Sequence, residues 1–179
     1  MSNRTLERVL HVGYLAELDA LALEALRQKR NEAQRLEDAS SYLRRLVQGR
    51  LDVIGLEIRA RVSDERTDVS AIVEQLPQAL ADGVSRTATG RLIDASAPPE
   101  EQEEWATDRV NSVCGGVDLA SVPELADDTL YALTDALNAL ERAVSTERRR
   151  LHDVIDALQA ELVKRYKSGE AKVEGLLGG

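Results

Sequence analysis

Phenylalanine is absent from these 179 residues, and tryptophan, cysteine and methionine occur once each. An aromatic content of 3% excludes a core of stacked rings. The lone Cys114 excludes an intramolecular disulfide framework. Two histidines, His11 and His152, together with that cysteine make neither a metal-ligand set nor a nucleophile and base pair. No glycine-rich phosphate loop follows a strand pattern, so catalysis is not expected. Positive charge is also scarce. The 23 Lys and Arg face 32 Asp and Glu, a net charge of −9, which argues against direct nucleic-acid binding because nonspecific affinity for phosphate backbones comes from a basic surface. An acidic surface suits a basic protein partner, for instance one that itself binds DNA. No apolar run is long enough for a signal peptide or a membrane span, so the expected location is a reducing cytoplasm.

What the chain does have is leucine, alanine, glutamate and arginine, the composition of long helices packed along seams. Residues 1–20 hold a short amphipathic piece interrupted at Gly13, read as an N-terminal arm or short helix. Over residues 21–62, Leu36, Leu43, Val47, Leu51, Ile54, Ile58 and Val62 recur at steps of three, four and seven, which predicts one long helix with a hydrophobic seam. Residues 63–122 read as a helical and loop connection. It would hold a helix over 69–80 bent at Pro77, a loop around Gly83, Gly90 and Pro98, and a further helix from Glu100 to about Val110. Trp105 reads there as a packing residue or a partner contact. A second long helix is expected over 125–166, followed by a flexible tail over 167–179.

Within the first long helix, Glu37, Ser41, Arg44, Gln48 and Asp52 stand at steps of four, three, four and four. At 100° per residue they share a stripe about 80° wide. The series returns 104 residues later as Glu141, Ser145, Arg148, His152 and Asp156, with histidine in place of glutamine. The same offset relates Leu26 to Leu130, Leu36 to Leu140, Val47 to Leu151 and Ile54 to Leu158, so the repeat is structural as well as chemical. A helix with an apolar seam must bury it, and the other copy is the natural partner.

A Glu-x3-Ser-x2-Arg-x3-Gln-x3-Asp stripe, present twice in a small helical protein, resembles the RsiG-type anti-sigma factors, which bind cyclic di-GMP. The likeness extends through Ser41 to Asp52 and through Val154 to Glu161, and covers the two long helical segments. It implies an all-α fold built as a long two-helix antiparallel coiled coil with short connecting helices. It also implies two cyclic di-GMP molecules held between the helices, and a flagellar-type, WhiG-like sigma factor sequestered while they are bound, controlling sporulation genes. The protein would be monomeric apart from that complex. Glu37, Ser41, Arg44, Gln48, Asp52, Glu141, Ser145, Arg148 and Asp156 carry over directly as ligand-binding residues. His152 departs from the pattern: an imidazole donates and accepts as an amide does but reaches differently.

The chemistry of the stripes is consistent with that ligand. Guanine offers O6 and N7 to a guanidinium fork and N1–H and N2–H2 to a carboxylate. Two stripes facing one groove match a ligand with two guanines and two phosphates. Arg44, Arg45 and Arg148 to Arg150 are the local cations available for the phosphates. A second reading stays open, in which the stripes are the charged flanks of a ligand-independent coiled-coil scaffold, joined by interhelical salt bridges. That accounts for the glutamates and arginines. It does not account for the serines or for the near-identity of the two copies.

Overall fold

The structure, a computed structural model, describes residues 2–63 and 99–168. The expected bent helix over 69–80, the loop that follows it up to residue 98 and the tail from residue 169 lie outside the described residues. Helix α1 spans Asn3–Leu10, and two 3-10 turns, Val12–Leu15 and Leu18–Ala20, lead into α2, Leu23–Ser63. Helix α3 spans Glu100–Cys114, a 3-10 turn covers Leu119–Glu124, and α4 spans Asp127–Lys167. Among the described residues there is no strand. The two long helices have 41 residues each, about 60 Å at 1.5 Å per residue. The chain divides into two compact units, residues 1–38 with 146–179 and residues 39–145, and each long helix contributes to both.

In the first unit, Leu26, Ala33 and Leu36 of α2 and Leu151, Val154, Leu158 and Leu162 of α4 are buried. Their steps of three, four and seven are those of a helical seam. Each fully buried leucine contributes about 1.5–3 kcal/mol, so the seam rather than its polar flanks holds the helices together. The helices run antiparallel here: Glu37 meets Arg148, and Arg27 near the start of α2 meets Tyr166 near the end of α4. The N-terminal arm buries Leu6, Val9 and Tyr14 and is tied down by arginines of α4. Arg150 donates to the Leu10 carbonyl at 2.7 Å. The Arg165 guanidinium donates to the carbonyls of Leu18 at 2.6 Å, Asp19 at 2.8 Å and Leu21.

In the second unit, Leu43, Val47, Val53 and Ile54 of α2 and Leu130, Leu133, Leu137, Leu140 and Val144 of α4 are buried. Arg44 meets Glu141 at 2.8 Å, while Arg61 meets Asp127 at 2.6 Å. As one number rises the other falls, so α2 and α4 are antiparallel in this unit too. Arg61 also donates to the carbonyls of Leu125 at 2.8 Å and Pro123 at 3.0 Å, bonding the end of α2 to the turn that starts α4. Helix α3 places Trp105, Ala106, Val110 and Cys114 in the interior, which makes Trp105 a packing residue. Tyr42 hydrogen-bonds Glu103 and Arg50 donates to Asn111 at 3.0 Å. Both partners lie 61 positions on, so α3 runs parallel to α2. It ends where Gly115 and Gly116 adopt φ of 60° and 80°, the left-handed turn that lets both amides bond back to the Asn111 carbonyl.

Candidate functional site

Hydrogen bonds and ion pairs bring six of the ten stripe residues together in two clusters. In the first unit, one Glu37 oxygen accepts from Arg148 Nε at 3.1 Å and Nη2 at 2.9 Å, and His152 Nε2 lies 3.4 Å from the same oxygen. The Glu37 side chain is only 9% exposed, against 54% for His152. A buried carboxylate is costly unless paired, and Arg148 supplies the pairing. Asp156, one turn beyond His152, is exposed.

In the second unit, Arg44 Nε donates to Glu141 at 2.8 Å and to the Ser145 hydroxyl at 3.1 Å. The Ser145 hydroxyl donates in turn to Glu141 at 2.9 Å. These contacts hold the Glu141 carboxyl below its ordinary value, the Arg44 hydrogen bond first and the Ser145 hydroxyl second. Ser41 and Gln48 are half-buried on α2, and Asp52 is exposed. Among the described residues no hydrogen bond or ion pair brings Gln48, Asp52 or Asp156 into either cluster.

The pairing is reciprocal. The glutamate of the first copy meets the arginine of the second, and the glutamate of the second copy meets the arginine of the first. Periodicity explains why: the stripe runs beside the buried seam, so its residues project toward the flank where the other helix presents its own stripe. Each cluster thus joins, from two different helices, a guanidinium and a carboxylate, the two groups that guanine's acceptor and donor edges require. Ion pairing between these same residues is also what the salt-bridge reading predicts, and it accounts for Glu37, Arg44, Glu141 and Arg148. What it leaves over is Arg44's fork. Arg44 engages both partners through Nε alone, and among the described residues nothing binds its two terminal amino groups.

Sequence reasoning missed a feature of the N-terminal arm. An open cleft of about 630 Å³ is lined by residues of α1, the turn after it and α2, among them Arg4, His11, Tyr14 and Lys29. The Tyr14 hydroxyl lies 2.9 Å from Glu32 and 3.0 Å from the Lys29 carbonyl. Burial, then Glu32, pushes its phenol up from the ordinary value. These residues are scattered over 28 positions without a period, so no sequence signal marks them. Among the described residues no group of three or more His, Cys, Asp or Glu could hold a metal ion, and no helix is long and apolar enough to cross a membrane.

A family model described as RsiG-like matches residues 13–80 and 116–178. No curated protein matches the chain.

Proposed function

Given that the chain belongs to the RsiG-like family of anti-sigma factors, we propose that it holds a flagellar-type, WhiG-like sigma factor away from RNA polymerase while cyclic di-GMP is bound between its long helices, and thereby delays sporulation genes. The action is binding in the cytoplasm, not catalysis, and the protein is a monomer apart from the sigma complex.

The observation that supports this reading is the meeting of arginine and glutamate from different helices within 3.1 Å in both units. Guanine inserted between them would accept from arginine on O6 and N7 and donate to glutamate from N1 and N2. Both charged groups would keep a partner, so the ligand exchanges one set of hydrogen bonds for another instead of stranding a buried carboxylate. Asp52 and Asp156 are exposed and are further acceptors for a guanine edge. Arg45, Arg149 and Arg150 lie beside the stripes in sequence and suit the phosphates.

Calorimetric titration with cyclic di-GMP, with and without the sigma factor, tests the proposal. Wild type should bind, and Arg44→Ala should lose about 10- to 100-fold in affinity, the value of one bidentate guanine contact, while staying helical by circular dichroism. Sigma binding with equal affinity in the presence and absence of ligand would favour the ligand-independent scaffold, whose support is that the glutamates and arginines already satisfy one another.

A further inference from the structure

Burial along α2 and α4 leaves an apolar remainder at one end of the second unit. Val62 continues the seam steps of Ile54 and Ile58, yet it is 80% exposed. Arg61 already pairs with Asp127, the first residue of α4, so no further turn of that helix reaches Val62. Tyr131 on α4 is 53% exposed. These two side chains line one hollow of about 100 Å³ together with Ile58, Leu130, Arg61 and Asp127. A single exposed valine is ordinary. A tyrosine and a valine left in solvent around one hollow, with the buried Leu130 beneath them, have the make-up of an interface centre. Small-molecule sites run to about 300–1,000 Å³, so this hollow suits a side chain rather than a nucleotide.

Its rim is acidic. Asp127 and Asp128 stand four and three residues before Tyr131, and Asp135 stands four after it, spacings that place all three around the ring on one face of the helix. All three are exposed. Arg61 is already met by both Glu57 and Asp127, and the exposed Arg59 offsets one charge on the α2 side. Asp128 and Asp135 have no partner among the described residues. That charge selects the occupant. An isologous dimer through this face would bring the same carboxylates together. Residues 64–98 of this chain hold six acidic against three basic residues, so they match the rim poorly too. A sigma factor reads promoter DNA and carries basic segments. A basic segment that also presents one aliphatic side chain satisfies the hollow and the rim together.

We propose that the hollow at Val62 and Tyr131 is a docking point for the sigma factor, taking an aliphatic side chain from a segment flanked by Lys or Arg. Tyr131 is the apolar anchor, and Asp128 and Asp135 steer the basic flanks. This rests on the anti-sigma reading above. The hollow is separate from the arginine and glutamate clusters, since Tyr131 stands ten residues before Glu141, about 15 Å along α4.

The test is a fluorescence anisotropy titration of the full-length protein with a purified WhiG-like sigma factor, cyclic di-GMP being present. Tyr131→Ala should weaken sigma binding by about 10- to 100-fold. Asp128→Lys combined with Asp135→Lys should weaken it most at low salt and flatten its salt dependence. These side chains are exposed, so helicity should match wild type, and so should the calorimetric affinity for cyclic di-GMP measured without sigma. Nitration of Tyr131 by tetranitromethane, read by mass spectrometry, should be fast in the free protein and suppressed by sigma. Wild-type sigma affinity in both variants would overturn the inference while leaving the anti-sigma reading intact. Slow nitration in the free protein would also overturn it: protection that grows with protein concentration would assign the hollow to a second copy, and protection independent of concentration to residues 64–98. Wild-type protein that does not bind the sigma factor would overturn the underlying reading as well.

Discussion

Glu141 carries a signature that can be read one proton at a time. Its carboxyl is held below the ordinary value of 4.5 by Arg44 first and Ser145 second. A carboxylate whose folded value is depressed contributes stability above that ordinary value and loses it as pH falls through the lowered one. Carbon-detected NMR titration should therefore find Glu141 titrating below 4.5 in wild type and moving back up toward 4.5 in Arg44→Ala, with Ser145→Ala giving a smaller return. An unchanged midpoint in Arg44→Ala would mean that the pair does not persist in solution. At this scale helical spacing alone puts Glu37 and Arg44 on one face of α2, and Glu141, Ser145 and Arg148 on one face of α4, which is why the sequence pattern could group the residues that the two clusters bring together. It was silent on Arg61 and Arg165, whose guanidinium groups bind backbone carbonyls. A carbonyl is present at every position, so no residue pattern announces that it is the acceptor.

Between elements, the ion pairs differ in what their removal costs. Arg148→Ala leaves Glu37 buried without its charged partner, a loss of about 1–3 kcal/mol. Asp52→Ala removes an exposed group and should fall within about 0.5 kcal/mol of wild type. Urea denaturation without ligand distinguishes the two variants, and equal midpoints would show that Glu37 is better solvated than its 9% exposure indicates. The two matched long helices followed from the 104-residue repeat, and their antiparallel direction from the resemblance to the RsiG-type proteins. The repeat's matched positions behave alike: Leu26 and Leu130, Val47 and Leu151, and Ile54 and Leu158 are all buried. The course of the N-terminal arm was not legible in the same way. Its two 3-10 turns are too short to carry a period, and arginines more than 130 residues away tie it down.

For the molecule as a whole, cyclic di-GMP and the sigma factor should each tighten the other's binding. A ligand bridging two helices fixes their spacing, and a partner recognising that spacing meets a prepared surface. Linkage requires the same factor in both directions, about 5 to 150-fold for couplings of 1–3 kcal/mol. Fluorescence anisotropy titrations of sigma with and without ligand, and of ligand with and without sigma, should give matching ratios, whereas a ratio of one in both would remove the switch. The arm's ties to α4 have a consequence in time. Arg165 reaches back 147 residues to the Leu18 carbonyl, and Arg27 meets Tyr166 across 139. Helical proteins ordinarily fold fast because their contacts are near in sequence, but here a long chain closure must come first. On a ribosome adding about 5 to 20 residues per second, the arm emerges roughly 7 to 30 s before the arginine that fastens it. Until Leu151, Leu158 and Leu162 of α4 have been made, Leu26 and Leu36 of α2 lack the leucines buried with them in the first unit, and the same face of another nascent copy is a substitute.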